Sequence, residues 1–448
     1  MVESVYHCEL AWLGGDLVER DVLIDVVGDR VASVRTGVEP PSGSLRLAGL
    51  TLPGFANAHS HAFHRVLRGR TQVGVGSFWT WREQMYAAAS RLDPDSYFRL
   101  ARAVYGEMVL AGITCVGEFH YLHHGPNGVA YDNANAMGEA LIGAASDAGL
   151  RITLLDTCYL RGGFDTALEG VQQRFGDLDV VSWAARASAL DSLASVTTRI
   201  GAAVHSVRAV APADIEIVAA WSESRGAPLH AHVSEQPAEN DYCVAAHGAT
   251  PVGVFADRGA LGERFSAVHA THLTETDIAQ LGESRCTVCF CPTTERDLAD
   301  GIGPSTALRA SGARLSLGTD SHAVIDMFEE ARAVELNERL ASRVRGAHDA
   351  RSLLRAATLQ GHASLGWHDA GSIVAGGLAD FVTVALDSRR MAGARQEHAL
   401  ESAVFAASAA DVRTVVVGGR RVVDDFRHCA IDVGAELDAA IGDLMGSS

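Results

Sequence analysis

A few short stretches of the chain carry side chains that could run hydrolytic chemistry. His59 and His61 lie two residues apart in TLPGFANAHSHAFHR. If residues 52–58 form a strand, its period of two turns both imidazoles to one side. Two neutral nitrogen donors converging from one strand end make half of a tetrahedral zinc site. A third donor could come from His230 or His232, in HAHVSEQ, and a carboxylate from Asp320, in GTDSH. Strand geometry does not choose between His230 and His232, because both fall on the same face. Three imidazoles and one carboxylate leave room for a water, whose pKa falls toward ~7 beside a divalent metal. Asp320 could both ligate and accept the water's proton. Glu235 is placed to carry protons between that water and a leaving nitrogen, as a general acid–base must. His269 could orient the water or polarise the electrophile.

These residues need a scaffold that gathers strand ends. Short apolar runs lie near 52–57, 113–118, 150–157, 202–205, 229–232, 265–269, 286–290 and 313–318. Segments with helical spacing separate most of them, such as 95–110 and 326–342. Eight strands alternating with helices predict a (β/α)8 TIM-type barrel of class α/β. Its strand ends would present His59 and His61, then Glu118 to Tyr121, then His205 to Arg208, then His232 and Glu235, then His269, then Asp320 to His322. Reactive groups of such barrels gather at that C-terminal edge. Both ends of the chain are β-rich, with Gly28-Asp29 and Gly418-Gly419 as hairpin turns. They predict a small β-sandwich domain built from residues 1–53 and 372–448 around a catalytic barrel at 54–371.

Composition sets the outer limits. With 448 residues and 48% hydrophobic content, the chain has ample material for a large domain and a smaller one. A net charge of −18 argues against a nucleic-acid or anionic-membrane partner. It also makes any convergent arginines informative. The N-terminal MVESVYHCELAW lacks a signal-peptide pattern, and no apolar run approaches the ~20 residues of a membrane span. The expectation is a soluble, cytoplasmic protein. Its eight cysteines read as free thiols, and Cys286, Cys289 and Cys291 as buried strand residues rather than a second metal site.

Taken together, His59-x-His61, His232-x-x-Glu235, His269 and Asp320 resemble the mononuclear metal-dependent deaminases of the amidohydrolase superfamily. The segment LGWHDAGSIVAGGLADF at 365–381 resembles the stretch with which that superfamily leaves its barrel. Within it, HSHAFHR, FWTWRE, EFHY, HSVRAV, HAHVSEQ and CPTTERDLADG are most similar to the formimidoylglutamate deiminases. The resemblance implies one Zn2+ per chain, or another divalent metal such as iron, held by His59, His61, His232 and Asp320. It implies hydrolysis of N-formimino-L-glutamate to N-formyl-L-glutamate and ammonia, with Glu235 and His269 acting on the water and the nitrogen, and a homodimer. Arg82, Tyr121, His205 and Arg208 then match positions that hold the glutamate moiety, a small dicarboxylate. One departure is His64, which stands where the family pattern has a substrate-binding glutamine. The chemistry of the side chains agrees: Arg82 and Arg208 can each meet a carboxylate in bidentate fashion, and Tyr121 can donate a further bond. Two rivals follow from the same residues. One is a deaminase of a purine, pterin or other cyclic amidine, which would not require the arginine pair. The other is a non-catalytic binding barrel, which would be expected to lack some of these ligands.

Overall fold

The computed structural model describes residues 4–76 and 78–446, and in it the chain builds two eight-stranded sheets. The N-terminal part supplies β1 (Ser4–Trp12), β2 (Val18–Val27), β3 (Arg30–Arg35) and β4 (Leu45–Pro53). Gly28, with φ at +60°, turns β2 into β3 as the sequence predicts. The barrel strands follow: β5 (Phe55–Ser60), β6 (Ile113–His120), β7 (Arg151–Cys158) and β8 (Thr198–Val204). They continue with β9 (Leu229–Val233), β10 (Phe265–His269), β11 (Thr287–Phe290) and β12 (Arg314–Leu317). Each pairs in parallel with the next. Most are buried along their whole length, which is why they read as short apolar runs without alternation. The C-terminal part adds β13 (Phe381–Val384), β14 (Val412–Val417), β15 (Arg420–Asp424) and β16 (Arg427–His428).

The predicted strand at 52–57 is the one element whose assignment changes. Leu52 and Pro53 end β4 in the terminal sheet, and the barrel strand begins at Phe55, so His59 lies inside β5. Gly54 is the crossing point between sheets. Its N–H donates to the Asp380 carbonyl at 3.0 Å. A Cβ there would sit 2.3 Å from Thr114 Oγ1, so no larger residue fits the passage.

Both chain ends join in one sheet, because β4 pairs in parallel with β1 and antiparallel with β13. Alternation along the strands divides two apolar layers. Phe381 and Val416 face a small cluster with Tyr6, Cys8 and Ile24, while Val382, Val384 and Val415 join the main core. Opposite β1 a bulge in β4 changes the register, since Cys8 to Leu10 faces Leu47 to Leu50. Beyond it Leu50 and Leu52 join the main core with Leu10 and Trp12, whereas Leu47 lies with Tyr6 and Cys8 in the small cluster.

The helices that bear on the site are α1 (Phe78–Ala89), α2 (Pro94–Leu110), α3 (Pro237–His247), α4 (Pro292–Asp297) and α5 (Met327–Ser342). Asp93 caps α2 by accepting from the Ser96 N–H while its own N–H donates to Ser96 Oγ, and Asp326 caps α5. The barrel closes between β5 and the end of β12. The N–H groups of Thr319 and Asp320 donate to the His59 carbonyl at 3.1 and 3.0 Å, and the His61 N–H donates to the Asp320 carbonyl at 3.3 Å. Among the described residues, no helix is long and apolar enough to cross a membrane.

Candidate active site

The closure of the barrel also sets three of the predicted ligands side by side. Asp320 Oδ1 lies 3.3 Å from both His59 Nε2 and His61 Nε2. His232, from β9, brings its Nε2 to 3.1 Å from that of His59. One ligand atom from each of the four falls within 4.8 Å of the others, and all four side chains are buried. The tautomers are fixed from behind. His61 Nδ1–H donates to the Phe119 carbonyl at 3.0 Å and His232 Nδ1–H to the His205 carbonyl at 2.9 Å. That arrangement turns a lone pair on each Nε2 inward, as a metal-binding histidine requires. The Phe119 ring forms a common wall, with centroids 4.5–5.4 Å from the rings of His59, His61 and His232.

Electrostatics agree with a centre that takes a cation. Burial holds His61 and His232 well below the ordinary histidine range, in the neutral form that ligates. Burial lowers His59 as well, against the pull of Asp320. Burial alone would raise Asp320, but His59 first, and the cationic His269 with it, hold it well below the usual carboxylate range. Converging lone pairs beside one carboxylate suit a divalent ion with nitrogen and oxygen ligands.

His230 is settled by the fold. Its Nε2 donates to the Ser364 carbonyl at 2.9 Å, away from the cluster, and burial pushes it down to about 4. A second group, His120, His123 and Asp156, also comes within metal distance. There Arg186 donates to both Asp156 oxygens, at 2.7 and 3.0 Å, and so already supplies the cation. Of the three neighbouring cysteines, Cys289 lies in β11 and Cys286 and Cys291 flank it; all are buried and free, and burial pushes Cys286 up to about 12.

Glu235 and His269 sit against the cluster. His269 Nε2 lies 3.8 Å from Glu235 Oε1 and 3.9 Å from Asp320 Oδ2, and its Nδ1 is 3.5 Å from Glu295 Oε1. Burial would lower His269, yet the three surrounding carboxylates overcome it and hold the imidazole well above its usual range. Burial raises Glu235, opposed by His269 and Arg208. Several of these side chains are aimed by strained backbone. Ser234, His269, Asp320 and His322 have φ between +42° and +67°, where L-residues seldom rest.

Around the other side of the same cavity stand His64, Arg82, Tyr121, His205 and Arg208, with Asp320, Glu235, His61 and His232 as its floor. His64, beyond His61, meets the Tyr121 hydroxyl at 2.9 Å and is held at about 3 by burial. Burial keeps Tyr121 a neutral phenol. Arg82 reaches in from α1 and Arg208 from the loop after β8. The His205 ring lies 4.4 Å from that of Tyr159.

Several residues at the site escape the sequence reading. Trp81, Met85, Tyr86, Tyr159, Phe175 and Leu298 complete the cavity wall. Glu118 accepts from Ser60 Oγ and from the Ala62 N–H, both at 2.6 Å, and so clamps the backbone on either side of His61; burial raises it to about 7. Glu295, on α4, backs His269 and accepts from the Cys291 N–H at 2.8 Å. Their one signal is position, since Glu118 and Glu295 fall inside EFHY and CPTTERDLADG.

Comparison with known proteins follows the same outline. The sequence profile described as the amidohydrolase family matches residues 50–422. Formimidoylglutamate deiminase of Pseudomonas aeruginosa is 37% identical over 442 residues, covering 95% of this chain and 96% of the relative. A 5-methylthioadenosine/S-adenosylhomocysteine deaminase of Natronomonas pharaonis is 29% identical over 427 residues, covering 93% of this chain and 91% of the relative. Among solved structures, an amidohydrolase from Brucella melitensis matches with a TM-score of 0.92 and 31% identity, over 99% of this chain and 100% of the other. An adenosine deaminase from Xanthomonas campestris, solved with bound zinc, shares the fold at a TM-score of 0.84 and 24% identity, over 98% of this chain and 97% of the other.

Proposed function

The chain belongs to the amidohydrolase family and is a hydrolase of carbon–nitrogen bonds, and from that premise we propose that it hydrolyses N-formimino-L-glutamate to N-formyl-L-glutamate and ammonia. One observation carries the substrate: two arginines, Arg82 and Arg208, enter the cavity whose floor is the ligand cluster. In a protein of net charge −18, a neutral substrate gives no reason to place both there. A dicarboxylate does, because each guanidinium can grip one carboxylate by two parallel hydrogen bonds. The 37% identity to the Pseudomonas deiminase supports the same reading.

His59, His61, His232 and Asp320 would hold one divalent ion, zinc being the best match to three imidazoles and a carboxylate. When bound, such an ion makes water acidic enough to attack at neutral pH. The protein's own groups do the rest. Asp320 accepts the proton that the attacking water sheds. His269, held as a cation by Glu235, Glu295 and Asp320, orients that water toward the formimino carbon. Glu235 delivers a proton to the imino nitrogen as the water adds; the adduct's hydroxyl then gives up its proton as the carbonyl forms, and a second proton, returned from Asp320 through Glu235, completes ammonia as the carbon–nitrogen bond breaks. Tyr121, paired with His64, donates to a substrate carboxylate beside the arginines.

Ammonia release tests the assignment directly, with N-formimino-L-glutamate assayed beside guanine, cytosine and S-adenosylhomocysteine. Turnover of the first alone is the expected result. Ammonia from a heterocycle, with none from formiminoglutamate, would transfer the chain to the purine-type deaminases.

A further inference from the structure

A buried glutamate outside the cavity links the two halves of the site. Glu239 lies in the first turn of α3 and is 3% exposed. One of its oxygens, Oε2, accepts from the backbone N–H of Glu235 at 3.2 Å. The other, Oε1, makes no hydrogen bond and faces Arg208 Nε at 4.0 Å. Glu235 and Arg208 both line the cavity, and Glu239 does not. Burial pushes the Glu239 carboxyl up to about 7, against the pull of Arg208. A carboxylate kept in so unfavourable a place, with each oxygen turned to a different active-site residue, is built to hold both.

We propose that Glu239 is a positioning residue, which aims the carboxylate-gripping Arg208 and the proton-carrying Glu235 from one side chain. Its Oε1 stands beside Arg208 Nε, on the guanidinium of a side chain that lines the cavity. Its acceptor fixes the peptide of Glu235 just after Ser234, whose φ is +52°. Grip on the substrate and proton delivery are thereby set relative to each other. The inference rests on the dicarboxylate reading above.

The test uses the full-length, metal-loaded protein and two readouts. One is calorimetric binding of glutarate, a dicarboxylate with no reacting group. The other is steady-state turnover of N-formimino-L-glutamate. Glu239→Gln keeps an acceptor for the Glu235 N–H but removes the charge opposite Arg208. It is expected to weaken glutarate binding and raise KM by about 10-fold, a usual cost of losing an outer-shell partner, with kcat falling less. Glu239→Ala removes the acceptor too, so its kcat falls well below that of the glutamine variant. A helix-terminal carboxylate with no role in the site would leave KM and glutarate affinity alone in both. If folded Glu239→Gln binds glutarate as the wild type does, the coupling is overturned. Should glutamine fail to fold, Glu239→Asp keeps the charge one methylene short, and unchanged glutarate affinity there overturns it equally. A wild type that neither hydrolyses formiminoglutamate nor binds glutarate would sink the functional reading first, and the coupling with it.

Discussion

At the scale of single residues, Asp320 and Glu235 are both buried carboxylates next to His269, yet their surroundings separate their roles. His59 and the cationic His269 hold Asp320 ionised, whereas burial favours the proton on Glu235. Asp320→Asn should therefore lose metal, because it removes a ligand charge that three neutral imidazoles cannot replace. Glu235→Gln should keep metal stoichiometry and lower kcat by ~10²-fold or more, since the amide fills the space but carries no proton. Elemental analysis beside the ammonia assay separates the two. Asparagine at 320 with full metal, or glutamine at 235 with normal turnover, would reassign that residue. The candidate cluster was legible in the sequence because histidines and an aspartate recur at predicted strand ends. Glu118, Glu239 and Glu295 were not. A glutamate in a strand end or first helical turn reads as a solvated carboxylate until the fold buries it. Strand geometry left His230 and His232 open and only the family resemblance implied His232; the Ser364 carbonyl that engages His230 is far away in sequence.

At the scale of elements, the closure of the barrel and the assembly of the ligands are one structural event. Gly318, just beyond β12, is the tightest point of that closure. A Cβ there would lie 2.7 Å from the Cβ of His59, 2.8 Å from its carbonyl oxygen and 3.0 Å from Cys291 Sγ. A backbone oxygen cannot yield as a flexible side chain can. Gly318→Ala should therefore push β5 away from β12 and stretch the bonds that seat Thr319 and Asp320 on His59. The expected result is a sub-stoichiometric metal content with kcat reduced in proportion, and a lower melting temperature. Full metal occupancy in that variant would mean that β5 tolerates displacement. The sequence predicted eight strands in the right order because parallel strands covered on both faces appear as short apolar runs. It misplaced the start of β5, since one apolar run crosses Gly54 from one sheet into the other. The bulge in β4 escaped the reading, although Gly49 there, with φ at +121°, is its one signal.

At the scale of the whole molecule, the barrel and the terminal sheet are joined by a charge pair as well as by apolar packing. Arg151, the first residue of β7, donates through Nε to Asp380 Oδ2 at 2.7 Å and through Nη2 to Oδ1 at 3.2 Å. Both side chains are about 1% exposed. Asp380 Oδ1 also accepts from the Gly418 N–H at 2.7 Å, tying in the turn between β14 and β15. Such a pair gains little over a well-packed apolar contact, but losing one partner strands a buried charge, which costs about 3–5 kcal/mol. An exposed pair of the same geometry would give about 0–1 kcal/mol. Asp380→Asn separates these cases, since the amide preserves shape and an acceptor while removing the charge. The urea midpoint should fall by an amount matching the larger figure. The pair sits at the N-terminal end of the barrel strand, opposite the edge that carries His59, His61, His232 and Asp320, where residues serve stability rather than catalysis. Metal content and kcat of the folded variant should accordingly stay close to those of the wild type. A midpoint unchanged within error would show that the two sheets are held by their apolar layer alone.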